Sequence, residues 1–306
     1  MISEILVLVL SFILISLVSG NNLPVCSGSI IGSRIISRRN GILLTITGYI
    51  AGLLLEGDLI RRGASAILPF VSYKLSIIAL SIGIIVFLIS HKMRVPQSLS
   101  VNFTSILIGI SLAMHLEIDW YFVILIIIFW ILAPIISIIT IKPFMSFSYR
   151  ISNGKRIWNV IKWVKLLLIL FSFFAAFTLG ANTIGLLYSI LPKGYVSLFA
   201  VSIAIVFGSI LFSKGELRRV GNEIISLRYI NALNSQIVSV ALVELATLFG
   251  IPLSNTQTFI SSVYGSGLSY KNRFLLKAPI KSIAIAWVGG SLISFVISYL
   301  LASLLA

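Results

Sequence analysis

The stretch FSFFAAFTLGANTIG, residues 171–185, decides the fold. An apolar run of the kind that lies in lipid meets an uncharged pair, Asn182-Thr183, with Gly180 and Gly185 on either side. A polar break at that depth is costly, because no water is there to satisfy it, unless something binds. The rest of the chain makes lipid the medium. Of its 306 residues, 58% are hydrophobic and only 10% charged, where a soluble domain carries about a quarter charged. Runs such as VSYKLSIIALSIGIIVFLIS (71–90) and YFVILIIIFWILAPIISIITI (121–141) are long and do not alternate. They predict membrane helices and not barrel strands.

Crossing roughly 30 Å of hydrocarbon takes about 20 helical residues. Spanning or re-entrant helices are expected near 3–19, 41–57, 66–89, 97–115, 120–141, 158–179, 195–213, 233–250, 253–269 and 281–305. The first is read as a span and not a signal peptide, since it lacks a basic start and carries Glu4. Net charge is +15, from 23 Lys/Arg against 8 Asp/Glu. The bases cluster in alternate loops: Arg34, Arg38 and Arg39; Lys92 and Arg94; Lys142, Arg150, Lys155, Arg156, Lys162 and Lys165; Lys214, Arg218, Arg219 and Arg228; Lys271, Arg273 and Lys277. Glu56 with Asp58, and Glu117 with Asp119, fall on the other side, and Arg61 and Arg62 are exceptions there. The positive-inside rule then places both termini outside and the middle of the chain in the cytoplasm. Each half makes an odd number of crossings, so the halves are inverted. This gives an all-α polytopic protein of the plasma membrane: a first repeat over 1–145, a basic cytoplasmic linker over 146–157 and a second repeat over 158–306.

Several classes are excluded. The basic residues are topological and form no patch interleaved with aromatics, so nucleic acid is not a partner. Cys26 is the only cysteine, His91 and His115 are far apart, and no HExxH, GxSxG or P-loop pattern exists. Neither a metal site nor an enzyme is expected, because the polar motifs offer amides and hydroxyls but almost no general base.

The polar break recurs. Ser19-Gly20-Asn21-Asn22 ends the first span as Gly180-Ala181-Asn182-Thr183 ends the sixth, 161 residues later. A second pair is Pro96-Gln97-Ser98-Leu99-Ser100 and Pro252-Leu253-Ser254-Asn255-Thr256, 156 residues apart. Trp130 and Trp287 follow these prolines by 34 and 35 residues. Inverted halves with interrupted helices at matching places are the sequence sign of a secondary transporter. Helix ends that stop at these motifs would turn free N–H groups and a positive dipole end toward an anion. Ser, Thr and Asn add donors without a fixed charge. Such small polar residues also serve helix packing in membranes, but packing alone does not explain four motifs in two matched pairs.

At these residues the sequence resembles the inorganic phosphate transporter (PiT) family. That family carries a GAND-type and a PVSTTH-type motif in each of two inverted repeats. The similarity is closest over RVGNEIISLRYINALNSQIVSVALVELATLFGIPLSNTQTFISSVYGSGL (219–268) and continues in LKAPIKSIAIAWV (276–288). The resemblance implies phosphate uptake with a cation, usually Na⁺ or H⁺, by alternating access. It also implies a substrate site drawn from Asn21, Asn22, Ser98 and Ser100 in one half and from Asn182, Thr183, Ser254, Asn255 and Thr256 in the other.

The chain departs from the family at its charges. Asn22 and Thr183 stand where the family has the aspartate of GAND. Leu99-Ser100-Val101 and Asn255-Thr256-Gln257 replace Thr-Thr-His. Gln236 stands for the glutamate ahead of the second hairpin, and Tyr49 for its first-half counterpart. Fewer carboxylates weaken a cation site and repel a dianion less, so the alternative is a sulfate or other oxyanion permease coupled to protons. One acid, Glu244, remains inside an apolar run, where an ionisable residue is functional by default. Gln236, Glu244 and Gln257 are therefore the expected coupling-ion positions. No cofactor beyond such an ion is expected. The expected partners are the anion and the bilayer, with a homo-oligomer left open.

Overall fold

The computed structural model describes residues 2–92, 98–153, 156–213, 229–269 and 280–304. Pro96 and Gln97 of one motif, and Arg94, Lys155, Lys214, Arg218, Arg219, Arg228, Lys271, Arg273 and Lys277 of the basic loops, lie outside the described residues. Everything regular among the described residues is helical. In order come α1 (Ile2–Gly32), α2 (Arg38–Ile67), α3 (Tyr73–Lys92), α4 (Leu99–Ala113), α5 (Trp120–Ser152) and α6 (Ile157–Leu179). A π-helical turn, Gly180–Ile184, leads into α7 (Gly185–Ser189), followed by α8 (Tyr195–Leu211), α9 (Tyr229–Leu248), α10 (Asn255–Ser269) and α11 (Ile280–Ser303). Each expected span coincides with a helix. α1, α2, α5, α9 and the continuous Trp158–Ser189 are long and apolar enough to cross a bilayer. The protein is a multi-pass membrane protein.

Surface and core follow from lipid as solvent. α5 leaves Ile124, Ile128, Ile131 and Ile135 exposed while burying Val123, Ile126 and Ala133. An apolar exterior costs nothing against acyl chains. The interior instead collects hydroxyls and amides: Ser16, Ser19, Thr45, Ser98, Ser172, Asn182, Gln236 and Thr258 are all buried. α4 is the most enclosed helix, burying Phe103, Ile106, Leu107 and Ile110 completely. α4 has 15 residues, bounded by Ser98 and Met114, so it is about 22 Å long and too short to cross the hydrocarbon. It and α10, described over Asn255–Ser269, begin at the two Pro-containing motifs and are the helices expected to be re-entrant arms.

The packing is reciprocal. α4 lies on α11, and α10 lies on α5. α1 packs on α8 as α2 packs on α6, and α1 touches α3 as α6 touches α9. α3 meets α4 and α11, as α9 meets α10 and α5. Each of these contacts thus has a counterpart with the two halves of the chain exchanged.

Three expectations are corrected. The helices do not stop at the small–polar motifs. α1 runs through Ser19–Asn22 to Gly32, with Pro24 inside it. At Gly180–Ile184 the helix widens instead of ending: the Gly185 N–H bonds back to the Gly180 carbonyl, five residues earlier. Widening keeps the backbone bonds, so these segments present side chains and not bare N–H groups. Glu56 and Asp58, read as loop acids, lie inside α2, which continues to Ile67. Residues 146–152, read as linker, belong to α5.

Candidate functional site

Two kinds of element build the site. The first is the pair of re-entrant helix starts. Ser98 caps α4, its hydroxyl accepting from Val101 N at 3.4 Å. Ser254 does the same for α10, accepting from Gln257 N at 3.2 Å. Both serines are buried. A Ser cap meets one of the orphan N–H groups of a helix start and leaves others to a ligand.

The second kind is the pair of uninterrupted helices carrying Asn21-Asn22 and Asn182-Thr183. The geometry joins each of these to the re-entrant motif of the other half. Ser100 Oγ lies 3.0 Å from Thr183 Oγ1. Thr256 Oγ1 donates to Asn22 Oδ1 at 3.5 Å. Four motifs distant in sequence therefore meet as two cross-pairs. Asn22, Ser100 and Thr183 are buried, while Asn21 and Thr256 are half-buried.

Close backbone approach sets this register. A Cβ on Gly180 would strike the backbone of Tyr49, its carbonyl first, and one on Gly52 would strike the Phe177 carbonyl. Only glycine lets α2 lie against the π turn.

Asn182 is used differently from its neighbour. Its Nδ2 donates to Thr247 Oγ1 at 2.9 Å and to the Ile251 carbonyl at 3.0 Å, and its Oδ1 accepts from Leu253 N at 2.9 Å. Both ends of the amide are engaged in the turn that leads into α10. Asn255 Nδ2 donates to the Ala175 carbonyl and to Thr178 Oγ1. Its Oδ1 and the Oε1 of Gln257 are buried without a hydrogen-bond partner among the described residues. Gln236, 1% exposed, donates to the Cys26 carbonyl and to Ser172 Oγ, while its Oε1 has no such partner. Tyr49 also reaches α1, its hydroxyl 3.4 Å from the Ser19 carbonyl and 3.7 Å from Cys26 Sγ. Tyr49 and Gln236 thus both rest on α1 around Cys26.

Glu244 stands apart from these motifs. It lies against Glu56 of α2, and each glutamate has a buried Oε2 without a hydrogen-bond partner among the described residues. No group of three or more His, Cys, Asp or Glu side chains could hold a metal ion among the described residues.

Sequence reading missed Thr247, Thr178, Ser239 and Glu56. Ser239 Oγ sits 2.7 Å from Thr258 Oγ1 and joins α9 to α10. Gln236 and Ser239 are three residues apart on one face of α9, and that spacing was the available signal. For Glu56 there was none, since its partner is 188 residues away.

A polytopic helical bundle with paired re-entrant helices whose tips meet polar side chains of the opposite half is the architecture of a membrane transporter. The sequence profile of the phosphate transporter family matches residues 146–298. The chain belongs to that family. It is 24% identical over 294 residues, 96% of this chain and 95% of the other, to a Methanocaldococcus jannaschii protein that carries the name of a phosphate permease. It is also 24% identical over 291 residues to the sulfate permease CysP of Bacillus subtilis, covering 89% of this chain and 80% of that one. A solved sodium-dependent phosphate transporter superposes with a TM-score of 0.77 at 17% identity, over 99% of this chain and 98% of the other. That likeness establishes the fold.

Proposed function

We propose that this protein is a secondary transporter that carries inorganic phosphate across the plasma membrane by alternating access, coupled to a cation. The observation that carries the reading is the cross-pairing of Ser100 with Thr183 and of Thr256 with Asn22. Hydroxyls and an amide from both halves converge beside two helix starts, and a hydroxyl bonded to another can rotate to donate to an oxyanion instead. The substrate shell then comprises Asn22, Ser100, Thr183 and Thr256, with Asn21, Ser98, Ser254 and Asn255 around it and Asn182 holding the turn. The inverted repeats at 1–145 and 158–306, with both termini outside, belong to the same proposal.

Phosphate is favoured by the acceptors that lack donors. The buried oxygens of Asn255 and Gln257 call for a proton donor. Protonated phosphate brings one and sulfate does not. Among coupling ions the proton is favoured, with Glu244 and Glu56 as its carriers and the uncharged Gln236 and Gln257 in supporting places. The resemblance also supports a sulfate reading: it implies neutral Tyr49 and Gln236 where the family has acids, which suits a permanent dianion.

The test is uptake of labelled phosphate and sulfate into proteoliposomes, with and without Na⁺ and with and without an inward proton gradient. Saturable phosphate uptake stimulated by the proton gradient and weakly inhibited by sulfate is expected. Absence of saturable uptake of either anion would overturn the reading.

A further inference from the structure

Arg61 and Arg62 break the charge rule that orders every other arginine in the chain, and the structure gives them a place. They line a cavity of about 800 Å³ at the end of α2, together with Lys193 from the loop between α7 and α8. Asp58 is the one carboxylate of the lining, and among the described residues no ion pair ties it to the three cations. The walls are fixed to one another. Arg61 donates to the Leu191 carbonyl at 3.3 Å and lies over the Tyr188 ring at 5.3 Å. Ser76 of α3 donates to the Ile190 carbonyl at 2.7 Å. Arg61 is thereby held half-buried, while Arg62 and Lys193 are exposed. Ser65 and Ser72 supply hydroxyls at the same mouth.

Two cations without an ion-pair partner among the described residues, lining one braced cavity, raise the local concentration of anions. Guanidinium and ammonium groups fit phosphate oxygens. We propose that this cavity is a second oxyanion site, binding a phosphate group through Arg62 and Lys193 with Arg61 behind them, whether that group is free phosphate or a lipid headgroup. Of its lining, Ser189 ends the helix that continues from Thr183, and Ile190 caps it. The cavity therefore opens about 9 Å along that helix axis from the transport motifs, separated from them by the buried Leu186 and Leu187.

The experiment reads binding and not transport, so it stands apart from the proposed function. The full chain is placed in nanodiscs of phosphatidylcholine, and acetylation of Lys193 is followed by peptide mass spectrometry. Exposed Lys162 is the internal reference. Potassium phosphate at millimolar concentration should slow Lys193 acetylation several-fold relative to potassium chloride of equal ionic strength, and leave Lys162 unchanged. Arg62→Ala should remove the protection and Arg62→Lys should keep it. If the headgroup is the occupant, discs containing phosphatidylglycerol protect Lys193 without added phosphate. If neither phosphate nor phosphatidylglycerol protects Lys193, or Arg62→Ala leaves protection intact, the site is refuted.

Discussion

Asn182 shows how much a single side chain in this bundle is asked to hold. Its amide makes three bonds to Thr247, Ile251 and Leu253, and all three partners are buried. Removing it strands two donors or acceptors in a place without water. Asn182→Ala should lower stability by about 1–3 kcal/mol, seen as a fall in Tm in detergent. It should depress transport further by loosening the turn that presents Ser254. Glu244 makes the opposite case. Glu244→Gln keeps the shape and removes the ionisable group beside Glu56, so anion binding should persist while stimulation of uptake by a proton gradient disappears. An unchanged gradient response would remove Glu244 from the coupling. The sequence marked both residues, Asn182 by its repeat and Glu244 by its apolar surroundings. What it could not give was the direction each side chain takes. Whether Asn182 faces a ligand or the Leu253 backbone depends on a contact 71 residues away.

At the scale of elements, helices were legible and their interruptions were not. Apolar runs of span length place α1, α5 and α6 without ambiguity. Ser98 and Ser254, each two residues after a proline, mark the starts of α4 and α10 because serine suits a cap. The π turn at Gly180–Ile184 had no such local sign. Its cause is tertiary: Gly180 meets the Tyr49 carbonyl, and Gly52 meets that of Phe177. Gly180→Ala should therefore push α2 and α6 apart, at a cost of about 1–3 kcal/mol. Lower yield of folded protein and weaker uptake are the expected outcomes. By contrast Ser254→Ala removes one cap from α10 and should cost only about 1 kcal/mol, with a larger effect on transport than on Tm.

At the scale of the whole molecule, the reciprocal packing limits how the protein can move. α4 is held by α11 and α10 by α5, so neither re-entrant arm shifts without the last helix of the opposite half. Each arm therefore moves as one body with that helix, so any alternating-access motion in the proposed mechanism must carry α4 with α11 and α10 with α5. A single cysteine introduced by Ser100→Cys, and another by Thr256→Cys in a separate variant, should each react with impermeant thiol reagents from either face in turn, with substrate altering that access. Cys26 is buried and gives a low background. Reactivity from one face only, with and without substrate, would count against alternating access. The duplication itself was readable from motif order and spacing. The exchange of partners between halves was not, because spacing within each half says nothing of which neighbour it meets.

A π turn is an α-helix carrying one supernumerary residue. α1 has none at Ser19–Asn22, so the two otherwise matched helices are out of step by a single codon at their most polar point. Deleting Ala181 should let the second helix close up into plain α geometry with everything beyond Gly185 still in place. Asn182 alone would swing through roughly 100° and lose its hold on Leu253. A protein that still embeds, with a Tm lowered as in Asn182→Ala, yet carries nothing would be the signature of that one missing amino acid.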